Sequence, residues 1–243
     1  MDDHFGERVA AAYDETEAEM FAPAAIDPAV DLLAGLAGDG RALELGIGTG
    51  RVALPLARRG VPVHGIDLSP AMVARLRAKP GGDAIGVTIG DFATTRAPGT
   101  FTLAYLVFNT VNNLTTQDAQ VSCFENAAAH LGPGGRFVIE VGVPALRRLS
   151  PGQTMVPFHA GPATWAFDRY DTATQAMSSN YLTVEGGRGE CRSIPFRYVW
   201  PSELDLMARI AGMELVDRWS TWTRAPFTHE SEHHISVWRR ITR

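Results

Sequence analysis

The sequence predicts an α/β fold, with a doubly wound, mostly parallel seven-stranded sheet, an antiparallel closing strand and an inserted antiparallel β meander. Three observations support this prediction. Short apolar runs alternate with helical patterns between residues 41 and 142, which is typical of a parallel sheet covered by helices. Glycines at alternate positions, Gly46, Gly48 and Gly50, follow the first run and allow a close backbone approach to a ligand. After Pro144 the pattern changes to short aromatic and β-branched segments separated by turns.

The N-terminal part of the chain predicts two helices. Residues 6–20 are mostly polar with widely spaced apolar positions, which indicates a helix near the surface. Asp27 followed by Pro28 is the pattern of a helix N-cap with proline at the first helical position. We therefore expect the second helix to begin there and to end near Gly38.

The central part of the chain predicts five parallel strands, at residues 41–46, 61–66, 84–89, 101–108 and 136–141. Helices are predicted between them, over residues 50–59, 70–79 and from about 116 onward. Ser69 and Pro70 are typical of the start of the second of these helices, and Thr115 with Asp118 resembles a capping box before the third. The glycine-rich segment 132–135 is expected to end that helix and to precede strand five.

The last part of the chain predicts a meander and then a return to the central sheet. Four β-like segments separated by turns lie near residues 153–160, 163–170, 175–184 and 190–199. A helix and two closing strands follow, at residues 202–211, 213–219 and 234–240. We divide the chain into three units. Residues 1–40 form N-terminal helices, residues 41–144 together with 201–243 form an α/β domain, and residues 145–200 form a β insertion.

Composition narrows the classes of partner. The net charge of −5 gives no basic surface for nucleic acid or an anionic membrane. No apolar run is long enough to span a bilayer, and the acidic start leads into no signal-peptide pattern. Cys123 and Cys191 match no metal-ligand spacing, so we expect reduced thiols. These features predict a cytoplasmic protein.

Acidic residues stand at the ends of three successive predicted strands. Glu44 ends strand one just before the glycine turn, Asp67 ends strand two and Asp91 follows strand three. Because the carboxyl ends of parallel strands meet at one edge, the three carboxylates are expected to surround a nucleotide-type ligand there. For any one of them alone, a solvated strand-end acid is the alternative interpretation. The G-x-G-x-G spacing differs from the dinucleotide fingerprint, although a second frame from Gly48 with Ala53 in third place leaves a dinucleotide open.

Taken together, these motifs resemble the class I S-adenosylmethionine-dependent methyltransferases over residues 41–142 at least, and the final helix and hairpin match residues 202–240. The resemblance implies that the glycine turn lies under the methionine and ribose portions of the cofactor. It also implies that Asp67 binds both ribose hydroxyls and that Asp91 receives the adenine amino group, with Phe92 nearby. A carboxylate suits a vicinal diol because it accepts two charge-assisted hydrogen bonds.

A second resemblance concerns the subfamily. Tyr13-Asp14 and the β insertion are similar to features of bacterial aminosugar N,N-dimethyltransferases. This resemblance implies that Tyr13 reaches the methionine carboxylate or covers the active site, with residues 1–40 as the cover. The full set of cofactor contacts implied is Tyr13, Glu44, Gly46, Gly48, Gly50, Asp67, Leu68, Met72, Asp91, Phe92 and Phe108.

The expected function is methyl transfer from S-adenosyl-L-methionine to a nitrogen or oxygen of a small molecule of secondary metabolism. Three alternatives stay open: a non-methylating enzyme that uses the same cofactor for rearrangement or cyclisation, a non-catalytic cofactor-binding scaffold, and an NAD-dependent oxidoreductase. The aromatic residues of the insertion indicate a substrate pocket, simple packing on the sheet or a homodimer interface.

No fixed catalytic motif is present, so the catalytic candidates are individual residues. Asn112 follows strand four, where it either orients a polar substrate or forms a turn. His159 is the acid or base candidate of the insertion, with a structural role as the alternative. Tyr13 and His229 complete the set.

Residues 229–233 formally match the H-E-x-x-H zinc motif. That motif needs both histidines on one face of a helix. Pro226 and the alternating strand pattern after His233 disfavour a helix here, so we expect a surface hairpin loop and no metal.

Overall fold

The computed structural model describes residues 6–16 and 18–241. Its central sheet has seven strands in the order β10-β11-β5-β4-β1-β2-β3, and a second sheet has four strands in the order β6-β7-β8-β9. The strands of the central sheet are β1 (Ala42–Leu45), β2 (Val63–Asp67), β3 (Gly86–Ile89), β4 (Phe101–Leu106), β5 (Leu131–Gly142), β10 (Met213–Trp219) and β11 (His233–Arg240). The helices are α1 (Glu7–Thr16), α2 (Pro23–Ala37), α3 (Ala53–Arg58), α4 (Pro70–Arg77), α5 (Gln117–His130) and α6 (Pro201–Ile210).

The pairing of the central sheet confirms the predicted fold class. Strands β1 to β5 pair in parallel, whereas β11 runs antiparallel to both β5 and β10. Every residue of β1 and β2 is buried, as expected for strands covered on both faces. One core lies under α2 and α3, and the other lies under α5 and α6, where Trp238 packs edge-on against Phe124 at 5.3 Å between ring centroids.

The insertion is an antiparallel meander of β6 (Met155–Ala160), β7 (Thr164–Tyr170), β8 (Ala176–Glu185) and β9 (Arg188–Arg197). It has a small core of its own, formed by Val156, Tyr170 and Tyr198. At its end Arg197 is buried and bonds to Gln120 of α5 and Glu203 of α6. These bonds attach the insertion to the helices that cover the central sheet.

The predicted start of the second helix is wrong. Helix α2 begins at Pro23, after Ala22 as N-cap, and Pro28 lies inside it. Asp27 lies inside α2, where its carboxylate forms an ion pair with Arg59 at 2.9 Å between Oδ1 and Nη2. Proline in the first turn suits Pro23 equally well, since its missing N–H has no partner there in any case.

Several other boundaries also differ from the predictions, among them the following three. Helix α1 ends at Thr16, and a separate 3₁₀ helix covers Ala18–Phe21. The N-cap of α5 is Thr116, whose Oγ1 accepts a hydrogen bond from the Ala119 N–H at 3.2 Å. Strand β5 begins at Leu131, because the chain pairs with β4 at once and the glycine-rich segment bulges out before pairing resumes at Arg136. Within the described ranges, no helix is long and apolar enough to cross a membrane.

Candidate active site

The glycine turn after β1 borders an open space. The N–H groups of Gly46 and Ile47 donate to the Ile66 carbonyl, which holds the turn against the end of β2. Gly46 has a φ of 75°, and a Cβ atom there would lie 2.9 Å from a Thr110 methyl group. Gly48 has a φ of 53°, and apart from its chain neighbours no atom of the described residues lies within 4 Å of its Cβ position. The turn therefore depends on glycine and leaves room for a ligand against its backbone.

Asp67 ties the glycine turn to the end of β2. Its Oδ2 accepts from the Gly48 N–H at 2.6 Å, and its Oδ1 accepts from the Ser69 N–H at 2.8 Å. Burial raises the pKa of Asp67, while the backbone donors counteract that shift. Each carboxylate oxygen has a second lone pair, so the group can still accept hydrogen bonds from a ligand.

The other two acids lie on either side of Asp67 in the sheet. Glu44 is 3% exposed and accepts a hydrogen bond from the Tyr105 hydroxyl at 2.9 Å. Burial raises the pKa of Glu44 to about 8. Asp91 accepts from the Ala93 N–H at 2.8 Å, and the Phe92 ring lies 3.8 Å from the Cβ position of Gly46. The three predicted acids thus frame one edge of the sheet around the glycine turn.

Two further predicted contacts lie beside this edge in different environments. Leu68 is half exposed directly after Asp67, whereas Met72 is buried in α4, where its N–H donates to the Ser69 Oγ atom. Leu68 is therefore accessible to a bound ligand, and Met72 supports the wall behind it.

Helix α1 docks onto the glycine turn through Asp14. The Thr49 hydroxyl donates to Asp14 Oδ1 at 2.6 Å, and Lys79 forms an ion pair with the same carboxylate. Lys79 also donates to the Thr49 carbonyl at 2.8 Å. The sequence pattern drew attention to Tyr13, whereas its neighbour Asp14 makes these contacts.

A cavity of about 780 Å³ lies between α1, the ends of β4 and β5, and the insertion. Tyr13, Phe108 and Asn112 line it, so three of the predicted residues meet there. The insertion contributes one face of its sheet, including Asp168, Tyr170, Met177, Ser179, Tyr181, Arg192, Ile194 and Phe196. The cavity opens where the carboxyl ends of the parallel strands lie, which is the usual ligand side of this architecture.

The segment after β4 adopts a strained turn at the cavity wall. Phe108 and Asn109 both have a φ of 58°, a left-handed conformation that costs free energy in residues with side chains. Glu140 of β5 stabilises it, because its Oε2 accepts from the Phe108 N–H at 2.9 Å and its Oε1 accepts from the Trp222 indole at 2.8 Å. The guanidinium of Arg51 lies 4.8 Å from the centre of the Phe108 ring.

Asn112 has an incomplete hydrogen-bond set. Its side chain is 8% exposed, and its Oδ1 atom accepts no hydrogen bond from the part of the chain that the structure describes. An unpaired buried acceptor costs about 1–3 kcal/mol, so a donor from a ligand or water is expected there.

The remaining histidine candidates, His159 and His229, are not among the residues that line the cavity. His159 is exposed on the edge strand β6, and His229 is exposed in the loop before β11, where its carbonyl accepts from Arg147. His233, at the start of β11, does line the cavity. His229 and His233 share no helix, and no group of three potential metal ligands occurs among the described residues.

Sequence reasoning missed several residues of the site. Arg51 follows the glycine turn directly, and only this position in the sequence could have indicated that it belongs to the site. Asp168 shares the face of β7 that carries Tyr170 and Thr164, but alternation alone does not show which face covers a cavity. Glu140 lacked any signal, because it acts through contacts with residues 32 and 82 positions away.

The fold and the three carboxylates around a glycine turn define a Rossmann-like enzyme that binds a nucleotide-type cofactor. A family model described as a methyltransferase domain matches residues 42–135, which include the glycine turn and all three acids.

Relatives over nearly the whole chain identify the family. The CcbJ methyltransferase from Streptomyces caelestis is 36% identical, covers 98% of each chain and has a TM-score of 0.85. The cypemycin N-terminal methyltransferase of a Streptomyces species is 28% identical over 94% of this chain and 97% of its own. CalS10 of Micromonospora echinaspora, an amino pentose methyltransferase solved with its cofactor, shares the fold at 23% identity, 99% coverage of each chain and a TM-score of 0.68. The chain belongs to the S-adenosylmethionine-dependent methyltransferases.

The predicted enzyme class and cofactor are thereby confirmed: the chain is a methyltransferase that uses S-adenosyl-L-methionine. The NAD-dependent alternative is set aside, in agreement with the G-x-G-x-G spacing. The coverage by relatives extends across the insertion, so the second sheet is part of the shared architecture.

Proposed function

We propose that the chain methylates an amino nitrogen of a small molecule of secondary metabolism. The observation that carries this proposal is the cypemycin N-terminal methyltransferase, which aligns with nearly the whole chain. Its name places the methylation at an N-terminus, where the free group of a polypeptide is an amine. A neutral amine needs no strong base for methyl transfer, whereas a hydroxyl does. The cavity of about 780 Å³ has room for such an acceptor.

The residues present fit S-adenosylmethionine. The open space at Gly48 suits the methionine and ribose portions, and Asp67 has lone pairs for the ribose hydroxyls. Asp91 and Phe92 receive adenine in this proposal, which the closeness of the Phe92 ring to Gly46 supports, and Glu44 and Leu68 complete the surroundings. When bound, the cofactor supplies a methyl group activated by a sulfonium sulfur.

The residues at the cavity wall orient the acceptor. Asn112 offers its unpaired Oδ1 to an N–H of the acceptor, which fixes the direction of the nitrogen lone pair. Phe108 and Tyr13 form aromatic walls that exclude water from the reacting atoms. The bond from Glu140 to the Phe108 N–H keeps this wall in place.

The same proposal assigns a role to each of the three units of the chain. Residues 1–40 cover the active site, residues 41–144 with 201–243 bind the cofactor, and residues 145–200 form the substrate wall. Assembly as a homodimer stays a prediction, which sedimentation equilibrium on the purified protein tests.

Transfer of isotope-labelled methyl groups tests the proposal. The protein is incubated with methyl-labelled cofactor and matched pairs of compounds that differ in one amine or hydroxyl group, and the product is located by mass spectrometry. Label on nitrogen supports the proposal. Label on oxygen alone means O-methylation, and cofactor binding with no labelled product from any member of the panel contradicts it.

A further inference from the structure

Asp168 is placed on the cavity face of the insertion by strand register. It lies opposite Ser179 of β8, and Ser179 lies opposite Ile194 of β9. This row of three residues faces the cavity. The next row, Tyr170, Met177 and Phe196, lies nearer the junction with α6 and provides aromatic and aliphatic surface. The Asp168 carboxylate thus adjoins an apolar wall.

The contacts of Asp168 hold its carboxylate in position without neutralising it. The Ser179 hydroxyl donates to Oδ1 at 2.6 Å, and the Tyr170 hydroxyl donates to Oδ2 at 3.5 Å. No lysine, arginine or histidine in the described ranges forms an ion pair with it. Burial raises the pKa of Asp168, and it raises the pKa of Tyr170 to about 12, so this tyrosine remains a donor.

The three arginines of the same cavity are engaged with other groups. Arg147 donates to the carbonyls of His229 and Glu230, and Arg148 donates to the carbonyl of Pro157. The charge of Arg148 also acts on the neighbouring Tyr170 hydroxyl, but among the described residues Arg148 forms no ion pair with Asp168. The third, Arg192, lies over the Tyr181 ring at 4.9 Å. Asp168 therefore presents a partly desolvated negative charge to the cavity, and a partly desolvated charge is stabilised by an opposite charge.

We propose that Asp168 is the substrate-recognition residue and that it binds a protonated amine of an amphipathic small molecule. The ammonium proton passes to water before methyl transfer, because a nitrogen without a lone pair cannot accept the methyl group. The carbon skeleton of this substrate packs on Tyr170, Met177 and Phe196. A charge-assisted bond to a carboxylate oriented by the Ser179 hydroxyl gives both affinity and direction. The inference rests on the proposed amine substrate class and deepens it, since an alcohol gains no ion pair at this position.

Binding of matched probes tests the assignment. The full chain is saturated with S-adenosylhomocysteine, and the affinities of phenethylamine and 2-phenylethanol are measured by ligand-observed NMR at neutral pH. We expect the amine to bind at least about 10-fold tighter than the alcohol. In Asp168→Asn this preference is expected to disappear while the alcohol affinity stays within about 2-fold, which also shows that the cavity has kept its shape.

Glu185→Gln is the matched control. It removes the same charge from the exposed tip of β8, outside the cavity, and should leave the preference for the amine intact. Equal affinities of the two probes in the unmodified chain, or an amine preference that survives in Asp168→Asn, refute the assignment. Methyl transfer to amines that is undiminished in Asp168→Asn refutes this inference alone, whereas amine binding through Asp168 without transfer refutes only the proposed function.

Discussion

The ion pair between Arg197 and Glu203 should hold the insertion on the cofactor-binding part of the molecule. Arg197 Nη2 lies 2.6 Å from Glu203 Oε1, with the side chains 5% and 16% exposed. Gln175 also bonds to both of these side chains, and Gln117 donates to Glu203 at 2.7 Å. The pair therefore joins the end of β9 to α5 and α6. The perturbation is Glu203→Ala, which leaves the guanidinium of Arg197 buried with only amide acceptors.

The expected cost follows from that uncompensated charge. Breaking a buried ion pair by removing one partner costs about 3–5 kcal/mol, and the partial exposure of Glu203 places this pair at the lower end, about 3 kcal/mol. Burial raises the pKa of Glu203, but hydrogen bonds from Gln175 and Arg197 outweigh it and lower the pKa overall. The stabilisation is thus present above the pKa of the unfolded chain and is lost as the pH falls through the folded pKa.

Urea unfolding at pH 7, followed by circular dichroism, measures the change in the free energy of unfolding. The double variant Arg197→Met with Glu203→Leu is the control, because it removes both charges and should recover most of the loss. A destabilisation below about 0.5 kcal/mol in Glu203→Ala would show that the ion pair is not a buried one, since an exposed ion pair contributes a free energy of that size. Equal losses in the single and double variants would show that packing, rather than charge, dominates.

Three further predictions concern the cofactor edge. Asp67→Ala should weaken cofactor binding by about 1–3 kcal/mol in calorimetry, and unchanged affinity would remove Asp67 from the ribose site. The pKa of Glu44 is raised to about 8 in the folded protein, so as the pH rises this carboxyl ionises first in the unfolded chain. The free energy of unfolding should therefore fall by up to about 5 kcal/mol between about pH 5 and pH 8. In Glu44→Gln this decline should be absent when the melting temperature is measured as a function of pH. Melting temperatures that depend on pH in the same way in both proteins would disprove the prediction. Asp14→Asn should speed amide hydrogen exchange in α1 by up to about 5-fold, because it loses the ion pair with Lys79, and unaltered exchange would mean that other contacts dock the helix.

Local patterns predicted the central sheet and the acids at its edge, because both depend on short-range periodicity. Glu44, Asp67 and Asp91 were identifiable since strand ends in a parallel sheet converge whatever the rest of the chain does. The start of α2 differs from its prediction because Pro23, earlier in the chain, offers the same first-turn proline as Pro28, and a local capping pattern does not tell the two apart. Asp168 was missed because the side of a meander that faces a cavity is set by packing between two sheets.

The shared use of Glu140 has a consequence for the evolution and redesign of this enzyme. One carboxylate binds both the left-handed turn at Phe108 and the indole of Trp222 in the loop between β10 and β11. A substitution at position 222 therefore reaches the cavity wall from a loop far along the chain. Loop exchange among relatives should succeed when residues 108, 140 and 222 are transferred as one unit, and a graft of the C-terminal loop alone should loosen the wall at Phe108.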